Sequence, residues 1–263
     1  MKRLQEHEIA SVLTYLKKNI EDCLYLYIDI TIYGLDNSNM LVWIDKKDEQ
    51  INTVVMKYFD SFQIYSEFEE WYEEGVLDLI LEYGITTISG KKSIIERLAS
   101  RLEGIYSTAY GVVIKEDRYR EFKQFEQVEQ ATESDVQEIA ELMCTDEEFG
   151  HNYSVDVLAK QLEDRIRTHM GRNFVIRQDG KIVAHVGVFA ETDDVAIESG
   201  LIVSREAGRS LLGIVIHEYI KKKLILEGKS VFAFRIKDNM LRCTNVASVA
   251  ICSEYGKMTK ETK

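Results

Sequence analysis

From Asp194 to Phe234 the chain runs DVAIESGLIV, SREAGRS, LLGIVIHEYIKKKLILEG, KSVFAF, and this stretch restricts the fold more than any other. Val195 to Val203 is apolar and β-rich apart from Glu198, Ser199 and Gly200, the pattern of a buried strand in a covered sheet. A carboxylate at position 198 is out of place in such a strand. Glycine inside a strand marks a bulge or a close backbone approach, so Gly200 predicts a bulge just beyond the carboxylate, where the sheet splays. After Val203 the residues become small and polar through Ser204, Arg205, Gly208, Arg209 and Ser210. Leu211, Leu212, Val215, Ile216, Tyr219, Ile220 and Leu224 then recur at helical spacing. A loop therefore feeds a helix N-terminus, where unpaired N–H groups and the positive dipole end favour a phosphate, with Arg205 and Arg209 as extra cations.

On these residues the chain resembles the GNAT superfamily of acyl-CoA-dependent N-acyltransferases. In that superfamily the fourth strand, a loop of the form R/Q-x-x-G-x-G/A and the following helix hold coenzyme A. Here Arg205-Glu-Ala-Gly208-Arg-Ser210 fits, with serine in the last position. A second register, counted from Gly200, places Gly208-Arg209-Ser210-Leu211-Leu212-Gly213 on the loop, and both registers stay open. The resemblance covers roughly Glu129 to Met258 and rests on the order of elements. It implies an α/β (α+β) protein with a GNAT-like mixed, mostly antiparallel sheet and flanking helices, preceded by a second, smaller GNAT-like or α/β domain. It also implies acetyl-CoA as co-substrate, held by Leu201, Ile202, Val203, Arg205, Gly208, Arg209, Ser210, Leu211 and Gly213, with a small amine or amino-acid-like acceptor.

An amine must lose a proton before it attacks a thioester. The superfamily often places a glutamate on the fourth strand for this, and Glu198 matches by position; a solvated or arginine-paired carboxylate is the plainer reading. The thiolate leaving group usually takes its proton from a tyrosine in a helix after the fifth strand, in a segment like N-x-x-A-x-x-x-Y. Here Asn245 is followed by Cys252 where the tyrosine would stand, and Tyr255 lies one helical turn further on as a substitute. By the same resemblance Asn245 binds the pantetheine arm, and His151 and Asn152 lie in a loop where acceptor-binding residues gather. These departures keep a second function open, a catalytically degenerate module that binds acyl-CoA or a protein partner.

A balance of 45 acidic against 33 basic residues gives a net charge of −12, which repels nucleic acid and anionic membranes and welcomes a cationic amine. No run approaches 18 apolar residues, and MKRLQEHEIA carries charge where a signal peptide is apolar, so a cytoplasmic protein, monomer or homodimer, is expected. Cys23, Cys144, Cys243 and Cys252 show no paired metal spacing and read as packed thiols. His185, alternating in KIVAHVGVF, and His217, in the long helix, have no partner spacing for a metal or a triad; both read as structural, and no metal is expected. Lys221 to Lys223 complement the negative end of that helix.

Ile9, Val12, Leu13 and Leu16 share one helical face, and CLYLYIDITIY from Cys23 suits a strand or a buried helix. LVWI and NTVVMKYF flank a charged turn as a hairpin, FQIYS adds a third strand, and an acidic helix is expected from Glu67 to Tyr83. Strand TTIS, a helix over Lys92 to Leu102 and strand STAYGVVI follow. This is the element order of the second half, without its glycine loop. Charged residues 116–127 read as a linker between an N-terminal domain, 1–115, and an acetyltransferase-like domain, 128–263. In the latter, FEQVEQA is a strand, helices start near Thr132 and Ser154, and Asp179-Gly180 turns a hairpin.

Overall fold

The computed structural model describes residues 1–146, 150, 154–207, 211–236 and 250–261. The chain divides into two compact units, one made of Met1–Ile114 with Phe234–Lys263, the other of Lys115–Ala233.

In the first unit, β1 (Lys2–Arg3), α1 (Ile9–Lys17) and α2 (Leu24–Tyr33) precede the meander β2 (Met40–Lys47), β3 (Gln50–Tyr58) and β4 (Ser61–Tyr65). Then come α3 (Glu73–Tyr83), β5 (Thr87–Lys91), α4 (Lys92–Arg101) and β6 (Tyr106–Glu116), whose last two residues, Lys115 and Glu116, belong to the second unit. The ambiguous run after Cys23 is helical: Leu24, Leu26, Tyr27, Ile28 and Ile30 are all buried. A helix apolar on most sides shows no amphipathic period, which is why the sequence could not separate it from a strand. The acidic helix starts at Glu73, later than expected at Glu67. Side chains hold the preceding segment out of the helix: the Glu67 N–H donates to the Tyr15 hydroxyl at 2.8 Å and the Phe68 N–H to Ser66 Oγ at 3.1 Å.

The second unit opens with β7 (Val128–Gln130), α5 (Val136–Met143) and α6 (Val155–Arg167). It continues with β8 (Arg172–Gln178), β9 (Lys181–Glu191), β10 (Val195–Val203), α7 (Leu212–Leu226) and β11 (Ser230–Ile236). Its strand order is β11-β10-β9-β8-β7, antiparallel except for the parallel pair β10 and β11 that α7 connects. Asp179 (φ 50°) and Gly180 (φ 79°) make the β8–β9 turn, both central residues being left-handed as a two-residue hairpin of this type requires. Ser154 caps α6 by accepting from the Val157 N–H.

Alternation along the strands builds two cores in this unit. Phe174, Ile176, Val186, Val188 and Ala196 pack beneath Val215, Ile216, Ile220 and Leu224 of α7. Val175, Ile182 and Ile202 meet Ile139, Leu142, Met143, Leu158 and Leu162 of α5 and α6. Full burial of each large aliphatic side chain in these layers stabilises by about 1.5–3 kcal/mol, so both faces of the sheet are covered.

The last strand, β12 (Ala250–Lys260), was expected as a helix closing the second domain. It is a strand of the first unit, where the order runs β1-β2-β3-β4-β5-β12-β6. Its antiparallel register with β5 runs from Tyr255↔Lys91 to Thr259↔Thr87. Gly256 and Met258 are the buried positions, at a period of two, and a Cβ on Gly256 would stand 2.7 Å from Ile95 of α4. Only a strand with glycine there lets α4 lie so close.

Candidate active site

Strand period places Ala196 and Glu198 on the α7 face of β10. The parallel ladder with β11 runs from Val195↔Ser230 to Glu198↔Ala233 and ends there, while β10 continues to Val203. On the other side the register with β9 shifts between Ser199↔Gly187 and Ile202↔His185, so β10 bulges at Gly200. The glycine sits at φ +68°, a left-handed conformation that side chains with a Cβ rarely adopt. This is the bulge that Gly200 implied.

His185 locks it. The ring is fully buried between the Gly200 carbonyl, 2.8 Å from Nδ1, and the Asn173 amide, 2.9 Å from Nε2. Burial pushes the imidazole down to about 4, against the opposing pull of the Gly200 carbonyl. Both partners are oxygens, the Gly200 carbonyl and Asn173 Oδ1, and a neutral ring with its single N–H donates to one of them. Gly200→Ala forces a left-handed alanine and brings its Cβ to 3.0 Å from the Phe189 ring. The expected loss of stability is about 1–3 kcal/mol, to be read from urea unfolding; an unchanged midpoint would show that the bulge tolerates a Cβ.

Glu198 is 1 % exposed and meets groups that its sequence neighbours do not suggest. His217 Nε2, on α7, lies 2.9 Å from Glu198 Oε1 and 3.7 Å from Oε1 of Glu116, at the end of β6. Burial disfavours the charged ring, but the carboxylates of Glu198 and Glu116 outweigh burial and the repulsion of Lys221, and the imidazole is raised above its ordinary value. Lys221, one helical turn further along α7, bonds Glu116 Oε2 at 3.3 Å and Glu218 Oε1 at 2.8 Å. Glu218 Oε2 in turn accepts from the Arg120 N–H at 2.6 Å. Lys221 is thus a buried ion-pair member and not merely a cation at a helix end. His217 is likewise more than packing, and Glu116, Glu218 and Arg120, from the stretch expected to link the domains and from α7, escaped sequence reasoning because no spacing along the chain relates them to Glu198.

The remaining expected positions lie at the end of β10, in the turn after it, at the start of α7 and on β12. Leu201 is exposed, Ile202 is buried against α5 and α6, and Val203 and Gly213 stand together, a Cβ on Gly213 meeting the Val203 side chain at 3.1 Å. Arg205 opens a single exposed turn, Arg205–Ala207, and Leu211 precedes α7 without a capping side chain. Gly208, Arg209, Ser210, Asn245, His151, Asn152 and Cys243 lie outside the described residues. Tyr255, expected on a helix, stands on β12 of the first unit with its ring 4.9 Å from Phe234. Cys252 is a packed thiol, its Sγ donating to the Val113 carbonyl at 3.3 Å.

The two units differ at the start of the helix that joins their parallel strands. In the first unit Glu73 and Glu74 occupy the first turn of α3; Arg97 and Arg101 bind Glu73 at 2.6 and 2.8 Å, and Arg97 reaches the Glu69 carbonyl at 2.6 Å. The positive end of that helix is satisfied by its own carboxylates. The first turn of α7 carries no acidic residue. Among the described residues no helix is long and apolar enough to cross a membrane.

No family model matches the chain, and no curated protein matches it. Solved structures do. A tandem GNAT protein from the clavulanic acid biosynthesis pathway is 10% identical over 99% of this chain and 98% of its own, with a TM-score of 0.58. A GNAT-family acetyltransferase from Colwellia psychrerythraea is 9% identical over 99% of both chains, TM-score 0.59. A GCN5-related N-acetyltransferase-like protein from Streptococcus suis is 9% identical over 96% of this chain and 100% of its own, TM-score 0.58. At these identities the likeness is one of architecture, and it extends through both units: the chain has the GNAT fold.

Proposed function

We propose that the second unit is an acetyl-CoA-dependent N-acetyltransferase acting on a small amine or amino-acid-like acceptor by direct transfer. The observation that carries this reading is the buried carboxylate of Glu198, set where the β10–β11 ladder ends and immediately before the Gly200 bulge. There Glu198 takes the proton of the acceptor ammonium, directly or through a water, and the His217 hydrogen bond fixes its orientation. The amine nitrogen attacks the thioester carbonyl, a C–N bond forms, and the C–S bond breaks to release a thiolate. Backbone N–H groups between Leu201 and Val203, beyond the end of the β11 ladder, stabilise the developing oxyanion. Holding both substrates in line supplies the orientation, and no covalent enzyme intermediate is needed.

The coenzyme's phosphates fit the start of α7, whose first turn holds no competing carboxylate. Arg205, Leu211 and Gly213 flank that start, and Gly208, Arg209 and Ser210 complete the loop in sequence. The first unit is a companion without a coenzyme site, because Glu73 and Glu74 fill the equivalent position on α3. The net charge of −12 favours a cationic acceptor.

One observation favours a second reading, a coenzyme-binding module without catalysis. Tyr255 stands on a strand and not on the helix that the resemblance implies for the acid, and the proposal assigns no protein acid to the thiolate. Isothermal titration with acetyl-CoA, followed by a thiol-release assay over a panel of amines, separates the two readings. Binding with thiol release is the expected result. Binding without release on any amine would leave the module reading, and absence of binding at millimolar acetyl-CoA would remove both.

A further inference from the structure

We propose that Glu116, Glu198 and His217 form a binding site for one divalent transition-metal ion, of which Zn2+ is the natural probe. The three donors all belong to the second unit, from the last residue of β6, from β10 and from α7, and one ligand atom from each lies within 4.8 Å of the others. The separations from His217 Nε2 are 2.9 Å to Glu198 Oε1 and 3.7 Å to Glu116 Oε1. Donors about 2.1 Å from a tetrahedral zinc ion stand about 3.4 Å apart, and the two separations from His217 fall on either side of that spacing. One imidazole nitrogen with two carboxylate oxygens suits zinc and its first-row neighbours better than magnesium, which demands oxygen and water.

The surroundings make the cluster more than three adjacent side chains. Glu116 divides its oxygens, Oε1 toward His217 and Oε2 to Lys221 at 3.3 Å. Lys221 is fixed by Glu218, and Glu218 by the Arg120 N–H. A ligand carboxylate oriented by a buried partner, itself held by another, is the arrangement that tunes metal sites. The charges agree. Glu116, Glu198 and Glu218 are three buried acidic side chains, and the one buried lysine beside them, Lys221, pairs with Glu116 and Glu218. A divalent ion supplies positive charge to a buried cluster richer in acidic than in basic side chains. His217 is the most accessible member, its side chain 19% exposed, and offers the route of entry.

A bound ion engages the carboxylate that the proposed acyl transfer needs free, so it would inhibit that reaction; the binding measurement stands whether or not the reaction exists. The test is calorimetric titration of the chelator-treated full chain with ZnCl2, with MgCl2 as the control. The expected result is a single Zn2+ per chain with a micromolar or tighter Kd and no comparable heat from Mg2+. His217→Asn and Glu116→Gln should each abolish that event, and Lys221→Met should weaken it about 10- to 100-fold. Thermal melts identify any variant that fails to fold, and the others then decide. No zinc binding by the parent chain, or zinc binding unchanged in the folded variants, would overturn the site and leave a proton-bridged ionic cluster.

Discussion

Replacing Glu198 by glutamine is expected to lower the proposed acetyl transfer by about 10²- to 10⁴-fold, the range for loss of a positioned base, with affinity for the proposed coenzyme and the fold retained. Glutamine keeps the size of the side chain and an oxygen that accepts from His217 Nε2, so the packing around β10 and α7 has no reason to change. The coenzyme is held elsewhere in the proposal, by the start of α7 and the end of β10. Raising pH restores part of the lost rate, because a larger share of the acceptor arrives as free amine and needs no base. The pH–rate profile of the variant should therefore keep climbing toward the acceptor's own ionisation. Wild-type turnover in the variant would show that proton removal happens elsewhere or that the amine binds neutral. A rate that is low and flat with pH would mean that glutamine damages positioning instead.

Deleting residues 250–261 unfolds the first unit. β12 lies between β5 and β6 in that unit's order, so its loss strips the β5 ladder from Tyr255↔Lys91 to Thr259↔Thr87 and exposes two strand edges. Met258 is fully buried in the same core as Phe62, Ile88, Ile95 and Leu98. Truncation of that one side chain, Met258→Ala, already costs about 2–5 kcal/mol, against a total of roughly 5–15 kcal/mol for a domain. Circular dichroism and thermal melting of the deletion read the loss, and a peptide of residues 250–261 added in trans should recover part of it. A deletion that melts as the parent does would show that the first unit closes its sheet without this strand. The same connectivity bears on the linker: a chain cut within 117–124 should not separate into the two halves expected from sequence, because residues 250–261 fold with residues 1–114.

What the sequence determined by itself was the local series of elements. Alternation and turn chemistry are properties of neighbouring residues, so Asp179-Gly180 marked its hairpin, Gly200 its bulge, and Leu211 to Leu224 the long helix. The repetition of the same order in both halves was legible for the same reason. The tertiary structure alone decided where β12 belongs. Its period of two rests on Gly256 and Met258 only, and the resemblance favoured a helix, so the partner β5, far upstream in the chain, could not be named from the segment itself. It alone decided the surroundings of Glu198 as well. Glu116, His217, Glu218 and Lys221 reach one another because residues 115–233 fold as one unit, in which the docking face of α7 brings its side chains to Glu198 and Glu116. Spacing along a chain records neighbours within one element, whereas contacts between elements follow from which faces must be buried against each other, and that is fixed only when the whole core is assembled.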